Sequence, residues 1–169
     1  MKRNSAKKRI EDAEKRLRKQ VKKNSWPISF IDDFEPLKLS QYAHGGPYDM
    51  VYPGFIDPKD PDNVDVLEIC GDKFLPFGSC SNGDLVVVVV VEIDGFKVGQ
   101  VCLLSLSLFN ESHAPSYYLR FVSENLKQFF ERISDGIFPT SCFDESEVSP
   151  RLKAKLRKKK KATKKKSNE

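Results

Sequence analysis

Nowhere in the 169 residues do about 18 apolar residues follow one another, so no membrane-spanning helix is expected. The first twenty residues have no apolar stretch behind their charges, unlike a secretory signal. Glu11, Asp12 and Glu14 are equally out of place in a transit peptide. The expected location is therefore intracellular: cytoplasmic, or nuclear if the source is a nucleated cell. Histidine is scarce, with only His44 and His113, each in a polar loop near Gly or Pro. The four cysteines (Cys70, Cys80, Cys102, Cys142) contain no CxxC pair, which argues against a zinc site and for small apolar fillers. No HExxH, GxSxG or GxxxxGK[ST] motif occurs. Asp57, Asp60, Asp62 and Asp65 do not complete a calcium loop: two prolines interrupt them, and the sixth position, which needs glycine, is Asp62. These gaps predict a non-enzymatic chain with no cofactor and no metal.

What the sequence does have is charge, and it is segregated. Residues 1–23 hold 11 Lys/Arg and 3 Asp/Glu; residues 151–169 hold 11 and 1; residues 24–150 hold 7 and 20. The pattern is an acidic domain between two basic ends. The domain's charge suits cationic protein partners and disfavours nucleic acid. The C-terminal run presents Lys155, Arg157, Lys158, Lys159, Lys160, Lys161, Lys164, Lys165 and Lys166 as candidate polyanion contacts. Binding there would ignore base sequence and fall steeply with salt. No aromatic interleaves 151–169, so bases have no stacking platform. The same tails are also attracted to the acidic domain over about 8–10 Å. The expected organisation is a basic helical extension (1–23), an acidic domain (24–138), a linker (139–150) and a disordered basic tail (151–169).

Residues 4–23 are predicted helical, because helix formers dominate and Ala6, Ile10, Ala13, Leu17 and Val21 form a thin stripe. That stripe fits a solvated helix, or one docked on its own domain, a partner or a nucleic acid. Pro36 limits any helix in 28–39 to a short one. Residues 41–47 and 57–63 read as loops. Val64, Val66 and Ile69 suggest a short strand, and 74–78 a compact apolar segment. Asn82-Gly83 marks a turn before Leu85 and six consecutive valines, 86–91. That run predicts a central strand buried on both faces. Asp94-Gly95 predicts a hairpin turn, 96–108 one or two strands, and 118–122 a last short strand. Ser123 is the expected N-cap of a closing helix whose apolar face is Leu126, Phe129, Phe130 and Ile133, with Gly136 as its stop. The fold class is α+β: a single, mainly antiparallel sheet, a closing C-terminal helix and an N-terminal basic helix.

The run Lys73-Phe74-Leu75-Pro76-Phe77-Gly78, then Ser81-Asn82-Gly83-Asp84, then a hydrophobic strand, resembles the central signature of the SUKH superfamily of cell-wall-assembly regulators and bacterial immunity proteins. Asp94-Gly95 supplies the turn of that pattern and 98–104 its next strand. Residues 121–133 are similar to its closing helix, and His44-Gly45-Gly46 stands where the family often has Asn-Gly-Gly. The resemblance covers about 42–134. Residues 26–41, the six valines and the basic tails depart from it. It implies a binding domain without catalysis, acting as a regulatory scaffold or as an antidote that sequesters a toxin.

Taken together, these features predict a protein-binding module whose partner is a protein, of which a cationic toxin is one kind. Its candidate contacts are the loop carboxylates Asp57, Asp60, Asp62, Asp65 and Asp72, with Asp84 as the signature acid. Asp84 reads more simply as a turn cap. The alternative is a nucleic-acid- or ribosome-associated accessory protein working through its two basic ends.

Overall fold

The computed structural model describes residues 2–40 and 42–138. Its centre is a six-stranded antiparallel meander in chain order: β1 (Tyr42–Gly45), β2 (Tyr48–Val51), β3 (Phe74–Cys80), β4 (Leu85–Val89), β5 (Val101–Leu104) and β6 (Leu119–Ser123). Five helices accompany it among the described residues: α1 (Lys2–Lys23), α2 (Ser29–Asp33), α3 (Glu35–Lys38), α4 (Pro61–Cys70) and α5 (Leu126–Ser134). The α+β architecture with one antiparallel sheet, an N-terminal helix and a closing helix is therefore present.

The valine run explains the layering. Side chains alternate along a strand. Val86, Val88 and Val90 thus join one core with Leu75, Phe77 and Leu103, under α1, α2, α3 and α5. Val87 and Val89 join a second core with Phe74, Cys102 and Leu104, under α4 and the 105–118 segment. All five residues of β4 are buried. Fully burying one valine contributes about 1.5 kcal/mol or more, and here both faces of the strand contribute.

Helix α1 is a layer of the first core. Ala13, Leu17 and Val21, four residues apart, are all buried in it. Of the alternatives the stripe left open, the helix takes docking on its own domain. A short 3-10 turn, Pro53–Phe55, meets it so closely that a Cβ on Gly54 would collide with the Ala13 carbonyl. Glycine is the residue that permits this backbone contact. Next to it, Glu14 accepts from Arg18 (2.7 Å) and pairs with Lys38 (2.7 Å), fastening α1 to α3. These partners hold the Glu14 carboxyl below its usual range, the Lys38 contact being the larger cause.

Helix α5 closes the same face through rings. Phe77 meets Phe34 (5.2 Å between centroids) and Phe129 (5.6 Å), both edge-to-face. Pro36 sits in the first turn of α3, where its missing N–H costs nothing, so 28–39 splits into two short helices.

Several expectations are corrected. Residues 64–69 are helix, not strand: the Asp60 side chain accepts from the Asp62 N–H (3.1 Å), Pro61 fills the first turn, and the α4 stop is Gly71 at φ +52°. Within 41–47, expected as a loop, residues 42–45 form β1 and pair with β2 in a hairpin that turns at Gly46 (φ +59°) and Pro47. Residues 74–78 belong to β3, whose bulge at Phe77 lies between the paired Pro76 and Gly78. Pro76 is tolerated because β2 reaches only as far as Gly78 along β3, leaving that N–H side without a strand. Residues 96–108 give one strand, β5, and Leu106 and Leu108 pack from irregular chain. The α5 cap is Asn125, whose side chain accepts from the Gln128 N–H (2.8 Å); Ser123 ends β6 and is buried. The Asp94-Gly95 turn is present, with φ +48° and +84°, closing the Ile93–Phe96 bridge. The last strand is also present, as β6.

Candidate protein-binding surface

The predicted contact residues divide into three groups. Asp60 is exposed at the N-cap of α4, Asp62 and Asp65 are exposed on its first two turns, and Glu68 continues the row one turn on. Asp72 is exposed in the turn after the helix, roughly 15 Å from its start. Val64, 46% exposed, breaks this acidic surface with an apolar spot. Among the described residues no ion pair neutralises Asp60, Asp62, Asp65, Glu68 or Asp72.

Asp57 stands at the near end with different duties. It accepts the Lys59 N–H (2.9 Å) and pairs with Arg16 of α1 at 3.6 Å. Asp84 does not belong to the surface. It is buried at the head of β4, where Asn82 donates to its carboxylate (2.8 Å) and its carbonyl accepts from the Cys80 N–H (2.8 Å). Its side chain and backbone hold the β3–β4 turn, as its reading as a cap required. The nine tail cations from Lys155 to Lys166 lie outside the described residues.

Beyond the C-terminal end of α4 the acidic row opens on a cavity of about 410 Å³, whose lining includes Glu68, Asp72, Lys73, Phe109, Glu111 and Tyr118. Three carboxylates face one lysine there. Burial, with Asp94 and Glu111 adding, holds the Tyr118 phenol above its usual range. Cys70 also lines the cavity, but burial pushes its thiol up to about 12, as it does Cys102. Neither is poised as a nucleophile. Cys70, Cys80 and Cys102 are all buried, which is the filler role; Cys142 lies outside the described residues.

A second acidic groove was not legible beforehand. Asp32, Asp33, Glu131 and Asp135, with Lys127, line about 510 Å³ between α2 and α5, across the sheet from α4. Its acids come from stretches about a hundred residues apart in the chain, and only the docking of α5 joins them. The adjacent pair Asp32-Asp33 and the i,i+4 pair Glu131 and Asp135 were its traces in the sequence. Burial, and then the charge of Asp32, hold the Asp33 carboxyl above its usual range.

His44 Nδ1 contacts Asp49 (2.6 Å) on the exposed β1–β2 hairpin, and His113 stacks near Tyr117. Among the described residues no three His, Cys, Asp or Glu side chains gather closely enough to hold a metal ion. None of the described helices is long and apolar enough to cross a membrane. Comparison with family models, with curated proteins and with solved structures finds no match to this chain.

Proposed function

We propose that the protein is a non-catalytic binding module whose α4 face engages a cationic protein partner. The observation that carries this reading is the row Asp60, Asp62, Asp65, Glu68 and Asp72, exposed and without ion pairs among the described residues, around the apolar Val64. Charged groups kept apart from opposite charges repel one another and cost stability, so they favour a partner that supplies the counter-charge. Such a field speeds encounter and selects against acidic competitors, while the apolar spot and the cavity beyond it supply desolvated contact. The SUKH resemblance points the same way, to an antidote or regulator whose partner is a basic protein such as a toxin.

The test is capture from lysate of the source cells, with and without nuclease, using the full chain. The companion bait carries Asp62→Asn, Asp65→Asn and Glu68→Gln, which remove charge and leave the Asp60 cap in place. One basic protein held stoichiometrically by the native chain and lost by the variant supports the reading. A partner held equally by both contradicts it. If only nucleic acid or ribosomal protein is captured, and neutralising the 155–166 lysines abolishes this, the basic ends do the work and the reading is wrong.

A further inference from the structure

Docking α1 on the domain does more than complete a core. It fixes a row of cations against the chain that leads into α4. Arg16, Lys19 and Lys23 project from the outer side of the helix at spacings of three, four and seven residues, and Lys59 faces them from the 56–59 segment. Between them lies a groove of about 510 Å³, floored by Ile56 and Pro58. That volume is within the range of small-ligand sites. Four cations meet one carboxylate, Asp57, which sits 3.6 Å from Arg16 with both side chains nearly half exposed, a pair weak enough to exchange.

A second observation lies in the same groove. Gln20, between the cations on α1, has a side-chain oxygen that is buried and lacks a hydrogen-bond partner. Such an atom is costly to leave unmatched. The cations alone call for an anion; the amide calls for a neutral polar group beside it. A hydroxyl meets that demand in either orientation of the amide, because it both donates and accepts. We propose that this groove binds a sugar phosphate, with the phosphate among Arg16, Lys19, Lys23 and Lys59 and the Gln20 side chain turning outward so that its amide meets a sugar hydroxyl. The ligand is either a free sugar phosphate or the ribose phosphate of RNA; the chemistry is shared. The site is separate from the α4 carboxylates and does not depend on their role.

The test is an amide chemical-shift titration of the isotope-labelled full chain with ribose 5-phosphate, inorganic phosphate, decauridylate and its deoxy counterpart. Ribose 5-phosphate is expected to give saturable shifts confined to 16–24 and 56–59. Lys19→Gln with Lys23→Gln should weaken it about tenfold, the loss of charge-assisted contacts. Gln20→Leu should weaken ribose 5-phosphate by severalfold and leave inorganic phosphate unchanged. Matching groove shifts with the ribo-oligomer, stronger than with the deoxy one and lost in Gln20→Leu, assign the ligand to RNA. Groove shifts with ribose 5-phosphate alone assign it to a free sugar phosphate. No groove shifts with any probe, shifts confined to the basic tail, or a Gln20→Leu protein that binds ribose 5-phosphate and phosphate as the native chain does would overturn the proposal.

Discussion

Replacing Leu17 by alanine tests whether α1 belongs to the core. Leu17 is fully buried, in a stripe with Ala13 and Val21 that meets the 3-10 turn Pro53–Phe55. Truncation removes the transfer energy of three carbons and leaves a cavity, a total of about 2–5 kcal/mol depending on how far the site collapses. Collapse is blocked here. The helix already touches the turn backbone to backbone at Gly54, so it cannot move inward to fill the space. The expected cost is therefore in the upper half of that range, about 4 kcal/mol or more. For a domain of this size that corresponds to a melting point lower by roughly 10 °C. Urea unfolding followed by the fluorescence of Trp26 is the assay, since the only tryptophan is buried directly after α1. The midpoint should fall with little change in slope. Lys15→Ala, on the exposed side, serves as the control and should stay within about 0.5 kcal/mol of the native chain. A Leu17→Ala protein as stable as that control would show α1 to be a solvated appendage and refute its place in the core.

Three further outcomes follow from the same geometry. Val87→Thr should cost about 1–3 kcal/mol in urea unfolding because it buries an unmatched hydroxyl, whereas Val91→Thr, at a site 45% exposed, should be within about 0.5 kcal/mol of native. Equal effects would contradict the burial of Val87 inside the second core. Asp33→Asn should raise the melting point at pH 7. Its folded carboxyl titrates above the unfolded one, so the penalty of ionising it grows as pH rises through the raised folded value and vanishes below the unfolded one. Thermal scans of the two proteins should converge near pH 3, and a gap that widens toward acid would contradict this. Finally, a Cys142→Ser protein should show no fast-reacting thiol under native conditions and three after denaturation; rapid native labelling would contradict the burial of Cys70, Cys80 and Cys102.

Local chemistry made some elements legible in the sequence and tertiary packing hid others. Six valines without alternation can only be satisfied by two covered faces, and β4 has them. Asp94-Gly95 adopts the two positive φ values that its residue types favour. Helix α4 was misread because Val64, Val66 and Ile69 prefer strands, while the capping signal of Asp60 and Pro61 was taken for a loop. The β1–β2 hairpin was missed because Gly45-Gly46-Pro47 marks its turn and its strands are only four residues each. Of the candidate contacts, Asp62 and Asp65 are exposed along α4, with Asp60 at its N-cap and Asp72 in the turn after it. Asp84 left the surface because its turn needed an acceptor. The α2–α5 groove and the cation groove on α1 are products of packing between distant segments, which periodicity does not report.

If the α4 face binds a cationic protein, its carboxylates are covered in the complex. Carboxyl footprinting tests it most directly, on the full chain alone and in complex with the captured partner. Asp60, Asp62, Asp65, Glu68 and Asp72 should lose reactivity together in the complex, while exposed carboxylates elsewhere, such as Asp49 and Glu124, keep theirs. Unchanged labelling along α4, with protection at other carboxylates, would contradict it.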